Sequence, residues 1–372
     1  MKKALITGVT GQDGSFLSKF LLKKGYEVHG LKRRASSFNT NRIDEFYETN
    51  QELSKNLKIH FSDMIDFGNL SLIINKIQPD EVYHLAAMSH VKVSFEIPLY
   101  TAEVNALGTH KLLEAIRSNY TKKKIKFYNA STSELFGKVL EIPQNENTPF
   151  YPRSPYAVSK LYAHWITKHY REAFGIFASN GILFNHESEV RGETFITRKI
   201  TRGIASIAYG FSDEILVGNL NAKRDWGYAK EYVELMYKII NYKEADDWVI
   251  GTGNTTSVRD FFKIAFEKIG VKIEFKGKRL KEVGVVKENN SKYINFKKGK
   301  VVIRVSEEYF RPTEVDILVA NSDKAKSLLN WNPTTNLESL IDKMLKKDLN
   351  EFEIKKIVKD QGYFVSNNKL DD

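Results

Sequence analysis

Tyr156 and Lys160 stand four residues apart near the start of a helical stretch, so they share one face of that helix. Ser154 is suited to cap the helix and Pro155 to its first position. A nearby ammonium favours the ionised form of a phenol. Such a pair can take the proton of an alcohol while hydride leaves the same carbon. Tyr-x-x-x-Lys alone is common by chance. Here four of the chain's eight prolines, Pro143, Pro149, Pro152 and Pro155, crowd the approach to it. A second cluster follows an apolar strand at 125–129: Ala130-Ser131-Thr132-Ser133-Glu134. In extended chain, Thr132 and Glu134 point the same way. Oxidising an alcohol needs only the tyrosine. A carboxylate at 134 adds a base that could remove a proton next to the new ketone.

Both clusters need a hydride carrier beside them. Gly8-Val9-Thr10-Gly11-Gln12-Asp13-Gly14 joins a first apolar strand to a first helix with the spacing G-x-x-G-x-x-G. Glycines there let backbone N–H groups approach a pyrophosphate at a helix N-terminus. An NAD site wants Asp or Glu about 20 residues on, to hold the ribose 2′-hydroxyl. The chain has Lys32-Arg33-Arg34 there, and guanidinium groups match a 2′-phosphate. NADP is therefore the expected cofactor. Asp63, after the third strand, is placed for the adenine edge.

The elements that position these groups alternate. Strands at 4–8, 27–31, 57–61, 81–85, 125–129 and 176–184 are separated by helical stretches at 15–24, 66–77, 94–118 and 154–174. That pattern predicts a doubly wound, Rossmann-type α/β parallel sheet with helices on both faces. Beyond about 190 the alternation loosens, with helical patterns near 193–209, 229–241, 257–269 and 322–329. The expected organisation is a dinucleotide-binding domain over 1–184, to which some later segments return. A smaller, interleaved α/β substrate lobe over mainly 185–350 follows, then a polar tail at 351–372.

Composition sets the limits. The 372 residues are 42% hydrophobic and 28% charged, which describes a globular chain. There is no cysteine, which excludes disulfides, thiolate nucleophiles and cysteine-held metals. That suits a reducing cytoplasm. Eight histidines form no metal spacing, so no metal is expected. No apolar run approaches a membrane span, so no membrane partner is expected. The net charge of +11 is mostly local: 276–304 holds ten basic and two acidic residues. Few aromatics interleave with them, so no nucleic-acid partner is expected; the segment reads as a solvated surface loop or hairpin, or as a basic lip near an anionic ligand.

The set as a whole resembles the GDP-mannose 4,6-dehydratases, within the extended short-chain dehydrogenase/reductases. The resemblance covers about residues 1–350. It is carried by ALITGVTGQDGS (4–15), GYEVHGLKRRASSFNTNRID (25–44), LAAMSHVKVSFE (85–96), NASTSELFG (129–137), TPFYPRSPYAVSKLYAHWITKHYRE (148–172), GILFNHES (181–188), RGETFITRKITR (191–202), AKRDWG (222–227) and YFRPTEVD (309–316).

The resemblance implies that Thr132, Glu134, Tyr156 and Lys160 are catalytic. It assigns to NADP Gly8, Thr10, Gly11, Gln12, Asp13, Gly14, Arg33, Arg34, Ser36, Asp63, Met64, Leu85, Ala86, Ala87, Ser89, Tyr100, Lys160, His186 and Arg191. Ser89, Asn185, Lys199, Arg224, Arg311 and Glu314 match the wall that holds a GDP-sugar. It also implies a homodimer or homotetramer whose cofactor loops are exchanged between subunits. Departures are Glu189-Val190, where Pro-Arg is common, Met88 for Gln, Phe136 for Tyr, and Arg304 in a usually less charged strand. The first changes the charge of a loop near cofactor and sugar, which leaves GDP-mannose and the larger GDP-manno-heptose both open. The alternatives are a nucleotide-sugar 4-epimerase, which needs no carboxylate at 134, and a non-catalytic NADP-sensing or nucleic-acid-binding protein.

Overall fold

A computed structural model describes residues 1–366. Its centre is a seven-stranded sheet. The strands are β1 (Lys3–Thr7), β2 (Glu27–Lys32), β3 (Leu57–Phe61), β4 (Glu81–His84), β5 (Lys126–Thr132), β6 (Ala178–Leu183) and β7 (Asp247–Ile250). They lie in the order 7-6-5-4-1-2-3 and every pairing is parallel. The order reverses between β1 and β4, the crevice where such sheets take ligands. The strands read as short apolar runs because helices cover both faces. Leu5, Val82, Phe127 and Ala178 are fully buried beneath them.

The chain forms two compact units. The first holds Met1–His186, Tyr228–Asn254 and Leu318–Pro333, and so contains the whole seven-stranded sheet. The second holds Glu187–Gly227, Thr255–Ile317 and the chain from Thr334 on. Its four-stranded sheet combines Val271–Lys276, Val283–Asn289, Val301–Val305 and Ile215–Val217. The helices Ile196–Ala208 and Val258–Lys268 share a core with it, through Ile204, Phe262 and Val302.

Two expectations need correction. Residues 351–360 are not tail: one helix runs Leu337–Asp360 and Phe352 is buried in the second unit's core. Leu340, Ile341, Met344, Leu345, Leu349 and Phe352 recur every three or four residues, an apolar stripe hidden among lysines. Residues 367–372 lie outside the described residues. The helix expected over 94–118 is in pieces: Val93–Glu96, Pro98–Ala102, a π turn Glu103–Leu107, then Gly108–Asn119. Pro98 starts a new segment, since proline cannot donate within a helix. The basic segment is ordered. Lys276, Lys300 and Arg304 pair with Glu274, Asp213 and Glu214 at 2.9–3.1 Å.

Candidate active site

The glycine turn follows β1 directly. Gly8 sits at φ +72°, a left-handed conformation that side chains resist. A Cβ on Gly8 would meet the Ala86 nitrogen at 2.9 Å, and one on Gly14 the Gly8 oxygen at 2.3 Å. The turn is thus a tight cradle that opens the helix Gln12–Lys23. A turn of this kind, at the N-terminus of a helix, suits a pyrophosphate. Asp13, in the first turn of that helix, holds His186 at 2.7 Å, and Gln12 Nε2 donates to both Asp13 and the His186 carbonyl.

Arg33, Arg34 and Ser36 follow β2 and are exposed. Arg33 donates to the Tyr100 hydroxyl, so two residues 67 apart in sequence meet. Arg34 lies over the Phe61 ring. Asp63 uses its carboxylate locally, accepting the Ile65 N–H at 3.2 Å, while Met64 is buried beside it. The 85–89 loop is fixed by side chains rather than by sheet pairing. Thr7 Oγ1 accepts the N–H groups of Leu85 and Ala86, and Asn105 bonds both backbone groups of Met88.

The long helix Pro155–Phe174 starts as its cap residues dictate. Ser154 Oγ accepts the Ala157 N–H at 3.0 Å and Pro155 takes the first position. Tyr156 and Lys160 are both buried on it. Lys160 Nζ donates to the Ala130 carbonyl of β5 at 2.8 Å. Two residues on, Thr132 ends β5; its Oγ1 accepts the Glu134 N–H at 3.2 Å. Glu134 is half-buried. The geometry differs from the extended chain expected over 130–134. The backbone leaves the strand at Thr132 and closes a single 3₁₀ turn, Ser133–Leu135. The Thr132 hydroxyl and the Glu134 backbone are therefore joined through a capped turn, not through strand alternation.

Burial pushes the Lys160 pKa down to about 8 from 10.5. The folded state thus bears a charge penalty below about pH 8, and the penalty fades as pH rises from there toward 10.5. Lys160→Met is expected to raise the melting temperature at pH 7 by about 2–4 °C while abolishing activity. The gain shrinks toward pH 10, where the parent lysine is already neutral. A melting temperature that falls at pH 7 would show that the Ala130 bond outweighs desolvation.

The family model described as GDP-mannose 4,6 dehydratase matches residues 5–344. The chain belongs to the GDP-mannose 4,6-dehydratase family. It is 51% identical over 367 residues to the GDP-mannose 4,6-dehydratase of Yersinia enterocolitica, covering 98% of this chain and 99% of that one. It is also 51% identical over 347 residues to the human GDP-mannose 4,6 dehydratase, covering 93% and 91%. Among solved structures, the dTDP-glucose 4,6-dehydratase of Bacillus anthracis in complex with NAD superposes with a TM-score of 0.75 at 17% identity, over 95% of this chain and 98% of that one. The UDP-glucose 4-epimerase of Thermotoga maritima gives 0.74 at 22%, over 95% and 99%. Those two likenesses concern the fold.

For a member of this family, the remaining assigned residues divide between the units. Asn185 and His186 close the first. In the second, Arg191 stacks on Phe195 at 3.8 Å and forms an ion pair with Glu187, its Nε 3.1 Å from Oε2. Lys199 Nζ lies 3.5 Å from the centre of the Tyr309 ring. Arg224 is buried, with Nη1 donating to the Lys223 carbonyl. Arg311 and Glu314 come together, the Arg311 N–H donating to Glu314 Oε1 at 3.0 Å.

Sequence reasoning missed two features. One is a cavity of about 500 Å³ in the second unit, lined by Gly218–Asn221, Arg279, Leu280, Val305 and Phe310. Gly218 is required there because a Cβ would strike the Tyr309 carbonyl at 2.3 Å. The other is Asn105, a buried amide in the π turn. An asparagine inside a helical run is the signal that was available, since π turns gather at functional sites. Among the described residues, no helix is long and apolar enough to cross a membrane.

Proposed function

We propose that the chain is an NADP-dependent 4,6-dehydratase that converts a GDP-manno sugar to its 4-keto-6-deoxy form. The observation that carries this is the end of β5. Its Ala130 carbonyl receives Lys160, and its next turn presents Thr132 and Glu134. One strand end thus serves the phenol–ammonium pair and adds a carboxylate that a simple alcohol oxidation does not use.

The Gly8–Gly14 cradle would take the pyrophosphate of NADP. Arg33, Arg34 and Ser36 would take its 2′-phosphate, and the 85–89 loop, Tyr100, His186 and Arg191 the rest. When bound, the nicotinamide supplies reversible hydride transfer, removed from C4 of the sugar and given back at C6. Tyr156 takes the C4 hydroxyl proton, with the charge of Lys160 favouring its ionised form. The C4 ketone then acidifies the C5 proton. Glu134 removes that proton and returns it to the departing C6 hydroxyl, which leaves as water; as hydride returns to C6, C5 takes a proton from solvent, balanced by the one Tyr156 releases. Thr132 holds the sugar oxygens during the exchange. On the substrate side, Lys199 and Arg224 would offer charge to a diphosphate. Arg311, Glu314 and the cavity at Gly218–Asn221 would seat the nucleoside.

The cofactor assignment predicts that NADP binds better than NAD. Arg33→Asp is expected to cut that preference about tenfold or more, since it exchanges a charge-assisted bond for repulsion. Fluorescence titration with both reduced dinucleotides measures it; equal affinity for both in the parent protein would remove the assignment. The loop beyond Ser36 carries Phe38, which is 94% exposed. That supports a homo-oligomer in which this loop reaches a neighbouring subunit's cofactor. Turnover of GDP-mannose and GDP-manno-heptose, compared across a dilution series, tests sugar and assembly together. Mannose is the expected sugar and activity is expected to fall on dilution. Preference for the heptose would move the substrate assignment, and a fully active monomer would end the loop exchange.

A further inference from the structure

We propose that His84 is a positioning residue of this active site: a neutral imidazole protonated on Nε2 that sets the direction of a buried hydrogen-bond chain running from the 85–89 loop to the first turn of the helix bearing Tyr156 and Lys160. Its catalytic half rests on the reaction proposed above; its protonation half does not.

His84 ends β4 and is 1% exposed. Its Nδ1 lies 2.9 Å from Thr7 Oγ1 and its Nε2 lies 3.0 Å from Thr109 Oγ1. Thr7 Oγ1 already accepts two N–H groups, from Leu85 and Ala86, each at 3.0 Å. A hydroxyl has two acceptor sites and one proton. With both sites used, the Thr7 proton must go to Nδ1, so Nδ1 carries none. The ring proton is then on Nε2 and donates to Thr109 Oγ1. Thr109 in turn donates to the Asn105 carbonyl at 2.6 Å.

From Asn105 the chain reaches both sides of the site. Its Oδ1 accepts the Met88 N–H at 2.8 Å, and its Nδ2 donates to the Met88 carbonyl at 3.0 Å and to Ser159 Oγ at 3.1 Å. Ser159 donates to the Tyr156 carbonyl at 2.7 Å. Every link has a single allowed direction, and reversing the imidazole would set two donors facing each other at Thr7.

The surroundings keep the ring neutral. β1 and the Gly108–Asn119 helix present hydroxyls, β5 presents the Phe127 ring, and the charged group that acts on it is Lys160. Burial, and then the Lys160 charge, push the His84 pKa down to about 3. Buried networks of this kind are rigid when fully satisfied and costly when one link is removed.

Thr109→Val keeps the side-chain shape, strands the Nε2 proton and cuts the link to Asn105. It is expected to lower kcat by about 10- to 100-fold, the scale of a small misplacement at a reacting centre. Dinucleotide affinity is expected to stay near the parent value, while the melting temperature is expected to fall by a few degrees, because the buried Nε2 proton loses its acceptor. Thr109→Ser, which restores the hydroxyl, is expected to recover most of the rate. In ¹⁵N-histidine-labelled parent protein, the His84 ring nitrogens, identified by their loss in His84→Asn, are expected to report one neutral Nε2–H form from pH 5 to 9. An Nδ1–H form, or titration within that range, would overturn the proposal. So would a Thr109→Ser variant as slow as Thr109→Val, which would reduce the site to packing. A parent protein that turns over no GDP-sugar would defeat the proposed reaction and leave the ring-nitrogen readout standing.

Discussion

Glu134→Gln is expected to slow formation of the 4-keto-6-deoxy product by about 10²–10⁴, the usual cost of losing a general base. The substitution keeps size and polarity, and the N–H that Glu134 gives to Thr132 Oγ1 belongs to the backbone, so the 3₁₀ turn survives. Tyr156 and Lys160 are untouched. Oxidation at C4 is therefore expected to proceed, seen as nicotinamide absorbance that builds up with little product. Exchange of the C5 hydrogen with solvent deuterium is expected to fall in step with product. Product at the parent rate would remove Glu134 from the elimination and strengthen the 4-epimerase alternative.

Tyr156→Phe is expected to stop the sequence one step earlier. The phenyl ring fills the same buried space, so the helix start, set by Ser154 and Pro155, should be unaffected. What is lost is the group proposed to take the C4 hydroxyl proton. Both product formation and the nicotinamide absorbance change are expected to drop by about 10²–10⁴. The two variants therefore differ in kind: one accumulates reduced cofactor and the other does not. An absorbance change at the parent rate in Tyr156→Phe would assign the C4 proton to another base.

What could be read from sequence was what lies close in sequence. The glycine turn follows its strand within one residue, and the face shared by Tyr156 and Lys160 is a property of helical spacing alone. The Rossmann order follows from alternating apolar runs and helices. Glu134 was a harder case. Its residue type was informative, but its 3₁₀ turn depends on chain packed against it, with the Tyr151 N–H bonding the Leu135 carbonyl. Asn105 was hidden because its partners, Met88 and Ser159, are 17 and 54 residues away. Residues 351–360, the end of the C-terminal helix, read as tail because charged residues dominate them, although the helix carries an apolar stripe that reaches Phe352. The cavity at Gly218–Asn221 is assembled from loops and strand ends, for which no periodicity exists.

The central claim is that hydride leaves C4 and returns within the same sugar at C6, with water lost in between. GDP-mannose carrying deuterium at C4, turned over in ordinary water, tests it most directly. The expected product is a 4-keto-6-deoxy sugar with the deuterium at C6. Deuterium found still at C4 of an intact, epimerised sugar would contradict it.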